Sequence, residues 1–360
     1  MNIDLKQHAT LPQNPRPIVS IGMGGIVENA HYPAYKIAGF DVVAGYDLNP
    51  ERAQQMATQF GVPHIHHSLD ALIDNAPDNA VFDLAVPGKA IVDILSALPD
   101  NSVALIQKPM GETLDEAKAI LDICRAKSLI AAVNFQMRFA PYIITARDMI
   151  AQGLIGDIND MEVRMQVYMP WHLWDFLKGI PRLEILYHSI HYIDLVRSFL
   201  GNPDSVYAKT LKHPITSDLA ATRTMMILDY GEAVRVNIMT NHGHIYGTEK
   251  QQSYVKWEGS KGAIQIRAGL NMDYPKGKPD RFEYVLLDEG DTWQTIDIDG
   301  SWFPEAFIGT MSSLMCYADG ETDVLPTSVE DAIMTMATVE AAYQSSEAGG
   351  TPLPDIDPLK

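Results

Sequence analysis

Cysteine is scarce: Cys124 and Cys316 are the only two in 360 residues. Two thiols build no disulfide framework, so a secreted disulfide scaffold is excluded and a reducing, cytoplasmic setting is expected. Each reads as a small buried hydrophobe rather than a nucleophile. Long apolar runs are also missing. Nothing approaches the roughly 18 residues that a membrane-spanning helix needs, so no membrane partner is expected. The opening MNIDLKQHATLPQNPRP has no apolar stretch. Residues 1–16 therefore read as a flexible arm, not a secretory leader. Dense basic runs are lacking too: 46 acids face 27 bases, a net charge of −19. A surface this negative repels phosphate backbones, and nucleic acid is not an expected partner.

Hydrophobic residues make up 46% of the chain, and its length suggests two domains, because one core rarely grows past about 250 residues. Strand signals at 17–22, 41–46, 81–86, 103–107 and 129–134 alternate with helical stretches at 26–38, 50–60, 89–98 and 113–127. Such alternation indicates βαβ units on a parallel sheet. Near 150 the pattern changes. A strand signal at 158–170 and a helix at 184–200 precede seven strand-like runs between 204 and 298 with only short turns between them. Consecutive strands of that kind imply an antiparallel sheet. Helices at 304–318 and 328–347 close the chain. The reading is an α/β fold.

The first strand runs into Gly22-Met23-Gly24-Gly25-Ile26-Val27. Glycines spaced G-x-G allow a tight turn and a close backbone approach to a pyrophosphate, while the next helix offers free N–H groups and its positive dipole end. Val27 stands where a third small residue is usual. Asp47 ends the second strand, 25 positions after Gly22. A carboxylate there can accept from the adenosine ribose diol and repels a 2′-phosphate. NAD is expected over NADP, with NADP left open. At the end of a later strand, Gln107-Lys108-Pro109 puts a lysine at the carboxyl edge of the sheet, where open α/β folds bind ligands.

The order Gly22-x-Gly24-Gly25, Asp47, Gln107-Lys108-Pro109, Asn134-Phe135-Gln136-Met137-Arg138-Phe139-Ala140-Pro141 and His191-Tyr192-Ile193-Asp194 resembles the Gfo/Idh/MocA family, over about 17–350. That resemblance implies an N-terminal Rossmann parallel sheet, taken as 17–135, and then an α/β domain with a large open, mostly antiparallel sheet, taken as 136–360. It implies a homodimer or homotetramer through the open sheet. It also implies substrates among sugars and cyclitols. Val86, Gln107, Asn134 and Gln136 join the glycines, Ile26, Val27, Asp47 and Lys108 as expected cofactor contacts. Two departures stand out. Gln107 replaces the family's usual glutamate, and Tyr187 replaces its usual aspartate four positions before the catalytic histidine.

On the 184–200 helix, Leu186, Ile190, Ile193 and Leu200 form an apolar stripe, with Glu184, Tyr187, His188 and His191 opposite. His191 is the candidate acid/base, since imidazole titrates near neutrality. Lys108 would hold the reacting oxygen. Tyr187 would orient the imidazole or touch substrate. Glu184, His188 and His191 stand at i, i+4, i+7, which can supply metal ligands. Their histidines are three apart, however, not the four of the familiar zinc helix, and no metal is expected. Trp171, His172 and Trp174 precede this helix and suit sugar faces and hydroxyls; Arg138, Glu184 and His188 complete the expected substrate set. The leading expectation is a dehydrogenase that moves hydride between nicotinamide and a hydroxyl carbon of a sugar, cyclitol or sugar derivative. Two alternatives remain on sequence: an NAD-recycling lyase or glycosidase-like enzyme, and a regulator that binds the same ligands without turnover.

Overall fold

The computed structural model describes residues 4–173, 177–274 and 276–354. Six strands form the first sheet: β1 (Ile18–Ile21), β2 (Val42–Tyr46), β3 (His64–Ile65), β4 (Val81–Leu84), β5 (Val103–Ile106) and β6 (Ile130–Val133). Their order is β3-β2-β1-β4-β5-β6, and every pairing is parallel. This doubly wound order reverses between β1 and β4, which opens a crevice beyond their carboxyl ends. The crossovers are α1 (Tyr32–Ala38), α2 (Pro50–Phe60), α3 (Leu69–Asp74), α4 (Ile91–Ala97) and α5 (Leu114–Ala126). Local chemistry sets their ends. Asn49 caps α2 by accepting from the Glu51 and Arg52 N–H groups, Pro50 follows at the first helical position, and Gly61 ends the helix at φ 77°. Thr113 caps α5 in the same way. The short β3 and α3 carry little periodicity, and sequence reading passes over both.

After α6 (Pro141–Ala151), also unforeseen, comes the second sheet: β7 (Ile158–Gln166), β8 (Ser205–Leu211), β9 (Arg223–Asp229), β10 (Arg235–Asn241), β11 (Gln252–Gly259), β12 (Gly262–Arg267), β13 (Arg281–Leu286) and β14 (Gln294–Ile296). The order is β14-β13-β12-β11-β7-β10-β9-β8. Pairings are antiparallel except β7 with β10. Alternation along these strands buries one face, with Val163, Met165, Val255, Trp257, Ile264 and Phe282 all nearly inaccessible. The helix α7 (Ile190–Leu200) lies between β7 and β8 in sequence.

The last two helices return to the first sheet. α8 (Ala306–Ala318) falls in the second sequence half, yet its Phe307, Met311, Leu314 and Met315 share a core cluster with Ile18, Met23, Val27 and Tyr32. Ahead of α9 (Val329–Ala348), Thr327 accepts from the Val133 N–H. A cut at 135 thus separates segments that pack together. The arm expected to be flexible is also tied down. The Lys6 N–H bonds Asp148, the Gln13 N–H bonds Glu321, and Arg16 pairs with Asp319 at 2.6 Å.

Candidate active site

The crevice beyond β1 and β4 begins at Gly22. Its φ of +85° lies in the left-handed region, and a Cβ there would stand 2.4 Å from the Ala85 carbonyl oxygen and 3.1 Å from the Val86 side chain. Only glycine fits both demands. Over Gly24 a Cβ would meet nothing within 4 Å, and over Gly25 only the Asn29 amide at 3.9 Å. The backbone there is open to a ligand. Ile26 is half-buried at the helix entrance, and Val27 is fully buried at the head of a π-helical turn, Val27–His31, that leads into α1. Asp47, just beyond β2, is fixed beside the turn: its carboxylate accepts from the Met23 N–H at 2.7 Å and the Asn49 N–H at 2.8 Å. Arg52, whose Nε donates to the Met23 carbonyl at 3.0 Å, is paired with Glu28 at 2.7 Å. A left-handed Gly22, open space over two glycines and a fixed carboxylate fit a dinucleotide.

Across the crevice, β5 delivers Lys108. Its Nζ donates to the Tyr187 carbonyl at 3.1 Å. Burial lowers its pKa to about 8. Tyr187 sits in a second π-helical turn, Ile185–Ser189, where the Ile190 N–H reaches the Ile185 carbonyl. Such turns within helices often mark functional sites. One turn further on is His191, buried, with its Nδ1 lacking a hydrogen-bond partner among the described residues. Its ring stands edge-on to Trp302 at 5.4 Å between centroids. Burial first, and then the Lys108 charge, hold its pKa well below the ordinary imidazole value. His188 is held low by burial, then by His242, Lys108 and His191. It packs edge-on to Trp171 at 4.9 Å and His242 at 4.5 Å. His242 in turn meets Glu184 at 3.2 Å. The arrangement gathers an amine lowered to about 8 and two imidazoles held low, a basic wall suited to taking or giving protons.

Residues 17–135 match the oxidoreductase family model for the NAD-binding Rossmann fold, and residues 147–354 match the same family's C-terminal alpha/beta domain. The chain belongs to the Gfo/Idh/MocA oxidoreductase family. Its first domain is an NAD(P)-binding Rossmann domain. It is 24% identical over 337 residues to D-xylose 1-dehydrogenase (NADP(+)) 2 of Haloferax volcanii, covering 91% of this chain and 97% of the relative. It is 24% identical over 353 residues to D-apiose dehydrogenase of Rhizobium rhizogenes, covering 92% and 95%. Among solved structures, an oxidoreductase from Agrobacterium radiobacter in complex with NAD+, L-tartaric acid and magnesium shares the fold, with a TM-score of 0.78, 20% identity, and 93% and 97% of the two chains covered.

Within this family frame, several expected contacts have interior partners instead. Arg138 forks onto Asp194 with two bonds of 2.6 Å and also donates to Asp331 and the Pro326 carbonyl. Each of its nitrogens is engaged, which removes it from the substrate set. Glu184 is fully buried and bound to Ser189 and His242, so it does not front the crevice. Burial raises its pKa, but the His242, Thr224 and Ser189 contacts outweigh that and leave it lowered. Asn134 bonds His31 and Thr310, and Gln107 bonds His31 and the Lys108 N–H; both amides lie behind the lysine turn rather than in the crevice. Gln136 is buried, with no partner for its Oε1 among the described residues. Tyr187 offers its carbonyl to Lys108. Its phenol is pushed up to about 12 by burial and by Glu112 and Glu116. His172 is exposed beside buried Trp171. Trp174 lies outside the described residues. His31, Asp83, His242 and Trp302 were not anticipated. All four meet their partners across long stretches of chain, and no local spacing flags them.

Proposed function

We propose that this protein is an NAD-preferring dehydrogenase of a sugar, cyclitol or sugar-derivative hydroxyl, with Lys108 and His191 acting on one oxygen. A bound nicotinamide supplies the hydride acceptor or donor. Gly22, Gly24, Gly25 and Ile26 would hold its pyrophosphate, and Asp47 its adenosine ribose; Val27, fully buried with its N–H on the Gly24 carbonyl, stands behind the turn. Lys108 donates a hydrogen bond to the reacting oxygen and holds the charge that develops there. His191 takes the hydroxyl proton in oxidation and returns it in reduction. Trp171 and His188 line the same wall. The observation that carries this reading is the Lys108 bond to the Tyr187 carbonyl, which sets the ammonium one helical turn before an imidazole with a free nitrogen. The relatives' names, xylose and apiose dehydrogenases, support a sugar hydroxyl. Asp47, together with the pairing of Arg52 to Glu28, supports NAD over NADP.

The outer face of the second sheet exposes Tyr207, Leu211, Met225 and Ile227, and we assign it to a second copy of the chain. Two buried free cysteines accord with a cytoplasmic setting. Among the described residues, no helix is long and apolar enough to cross a membrane.

The test is a panel of aldoses, cyclitols and sugar acids with NAD or NADP, read at the NADH absorbance. Substrate-dependent net NADH formation supports the reading. Tightly held cofactor with product elimination and no net NADH would replace it with the recycling lyase. Dinucleotide binding without turnover on the whole panel would replace it with a regulator.

A further inference from the structure

Behind the lysine turn lies a buried polar chain that the proposed chemistry does not use. His31, in the first π-helical turn, and Asp83, on β4, are both fully inaccessible. His31 Nδ1 is 2.8 Å from Asp83 Oδ2, and the Tyr35 hydroxyl donates to that same oxygen at 2.9 Å. On its other side, His31 Nε2 faces two side-chain amides, the Gln107 and Asn134 nitrogens, each at 3.3 Å. The orientation of Gln107 follows from its far end, where its Oε1 accepts from the Lys108 backbone N–H at 2.9 Å. Gln107 therefore turns its NH2 toward the imidazole. Asn134 does the same when the Thr310 hydroxyl, 2.8 Å from its Oδ1, donates to it rather than to the Phe307 carbonyl.

Donor and acceptor counting then leaves one arrangement. An ionised carboxylate accepts only, so Nδ1 carries the proton; the Gln107 amide N–H donates only, so Nε2 must be bare. The imidazole is neutral. A glutamate at 107 would turn an acceptor toward Nε2, and His31 would have to take a second proton to meet it. The glutamine is therefore matched to a neutral His31. The groups that face the imidazole are Asp83 from β4, Tyr35 from α1, Gln107 and Asn134 from the ends of β5 and β6, and Phe307 from α8.

We infer that Asp83, neutral His31 and Gln107 form a positioning relay that fixes the Lys108 backbone and keeps the lysine turn free of a neighbouring anion. None of the three touches the reacting atoms. Their effect passes through the orientation of one backbone N–H and through the charge beside one amine. In the second respect the inference rests on Lys108 acting as proposed above; the tautomer does not.

The test has two independent arms. In the first, 15N-histidine NMR of the whole protein reads His31, assigned by the signal lost in His31→Gln. The expected result is a neutral ring protonated at Nδ1 from pH 6 to 8, becoming an imidazolium in Gln107→Glu. A wild-type imidazolium, an Nε2–H tautomer, or a ring unchanged by Gln107→Glu overturns the relay. In the second arm, kinetics of Gln107→Glu should show turnover down tenfold or more near neutral pH, cofactor KM within about twofold, and an alkaline limb moved up by less than one pH unit, because the His31 imidazolium offsets part of the new carboxylate's charge. Gln107→Met should lower turnover without moving that limb. An unmoved limb in the glutamate variant overturns the electrostatic half even if turnover falls. If the glutamate variant does not fold, the wild-type tautomer still decides. If Lys108 proves dispensable while the NMR arm holds, the functional reading fails and the relay stands.

Discussion

The two flanks of α7 treat charge in opposite ways. On the flank facing α9, every charge is matched. Asp194 takes two bonds from Arg138 and one from Thr335, while Asp331 takes one from Arg138 and one from Arg197. Three residues earlier, on the crevice flank, His191 and Lys108 share a buried wall: burial presses both toward their neutral forms, and the Lys108 charge presses His191 further. Burying a charge costs several kcal/mol unless it is paired and hydrogen-bonded. The matched flank meets that condition within the protein. The unmatched one can meet it only when something else arrives. The contrast separates residues that hold the domains together from residues kept available for chemistry.

The sharpest way to break this comparison is to change one residue on each flank. Lys108→Met removes an amine whose charged form is poorly accommodated, so stability should hold or rise while turnover falls by about 10²–10⁴-fold. His191→Ala should lower turnover over the same range. Steady-state kinetics and urea unfolding on the same preparations decide it; turnover near the wild-type rate in both variants would remove the chemistry. Asp194→Ala should do the reverse. It leaves two guanidinium groups with one carboxylate between them, at a cost of about 3–5 kcal/mol in unfolding free energy. A loss below about 1 kcal/mol would show that the cluster is not what binds α7 to α9.

The pH profile sharpens the same contrast. Lys108, lowered to about 8 by burial, should lose its proton there and with it the positive charge that holds the developing oxyanion, so kcat/KM falls above about pH 8. Lys108→Arg, if active, should lose that limb. His191 and His188 are held low, so the acid limb should lie below the ordinary imidazole value of about 6.5. The sign for stability follows. As pH drops below about 6.5, the unfolded chain binds protons that these folded histidines refuse, and stability declines. Chemical denaturation at pH 5.5 and 7.5 measures it in wild type and in His188→Gln, which should flatten the dependence.

Much of this was legible in the sequence, because backbone requirements leave local traces. Gly22, the cap at Asn49 and the βαβ spacing are written in consecutive residues. So is the His191 helix, whose 3.6-residue period sets polar against apolar side chains. What was not legible depends on meetings across the fold. Arg138 looked available because nothing near it in sequence shows Asp194 and Asp331 closing on it. Asn134 and Gln107 stood at strand ends where a cofactor passes, yet His31, more than 70 positions earlier, takes their amides. The return of α8 to the first sheet has the same character: its apolar period announces a helix without saying which sheet it covers.

The smallest expected effect concerns the other end of the crevice, where charge is again left partly unmatched. Asp47 accepts two backbone N–H groups and has no ion pair among the described residues, Arg52 being held by Glu28. If its charge reads the ribose, Asp47→Ala should relax the preference for NAD over NADP by about tenfold, or about 1.4 kcal/mol. Asp47→Ala also removes the brace on the Met23 N–H, so it confounds charge with geometry. Asp47→Asn keeps one acceptor oxygen, which can still brace the Met23 N–H, and loses the charge together with the bond from the Asn49 N–H. A similar relaxation in both variants assigns the effect to repulsion of the 2′-phosphate. Relaxation in alanine alone assigns it to the brace. An unchanged ratio of kcat/KM values in both would mean that the cofactor is chosen elsewhere along the crevice.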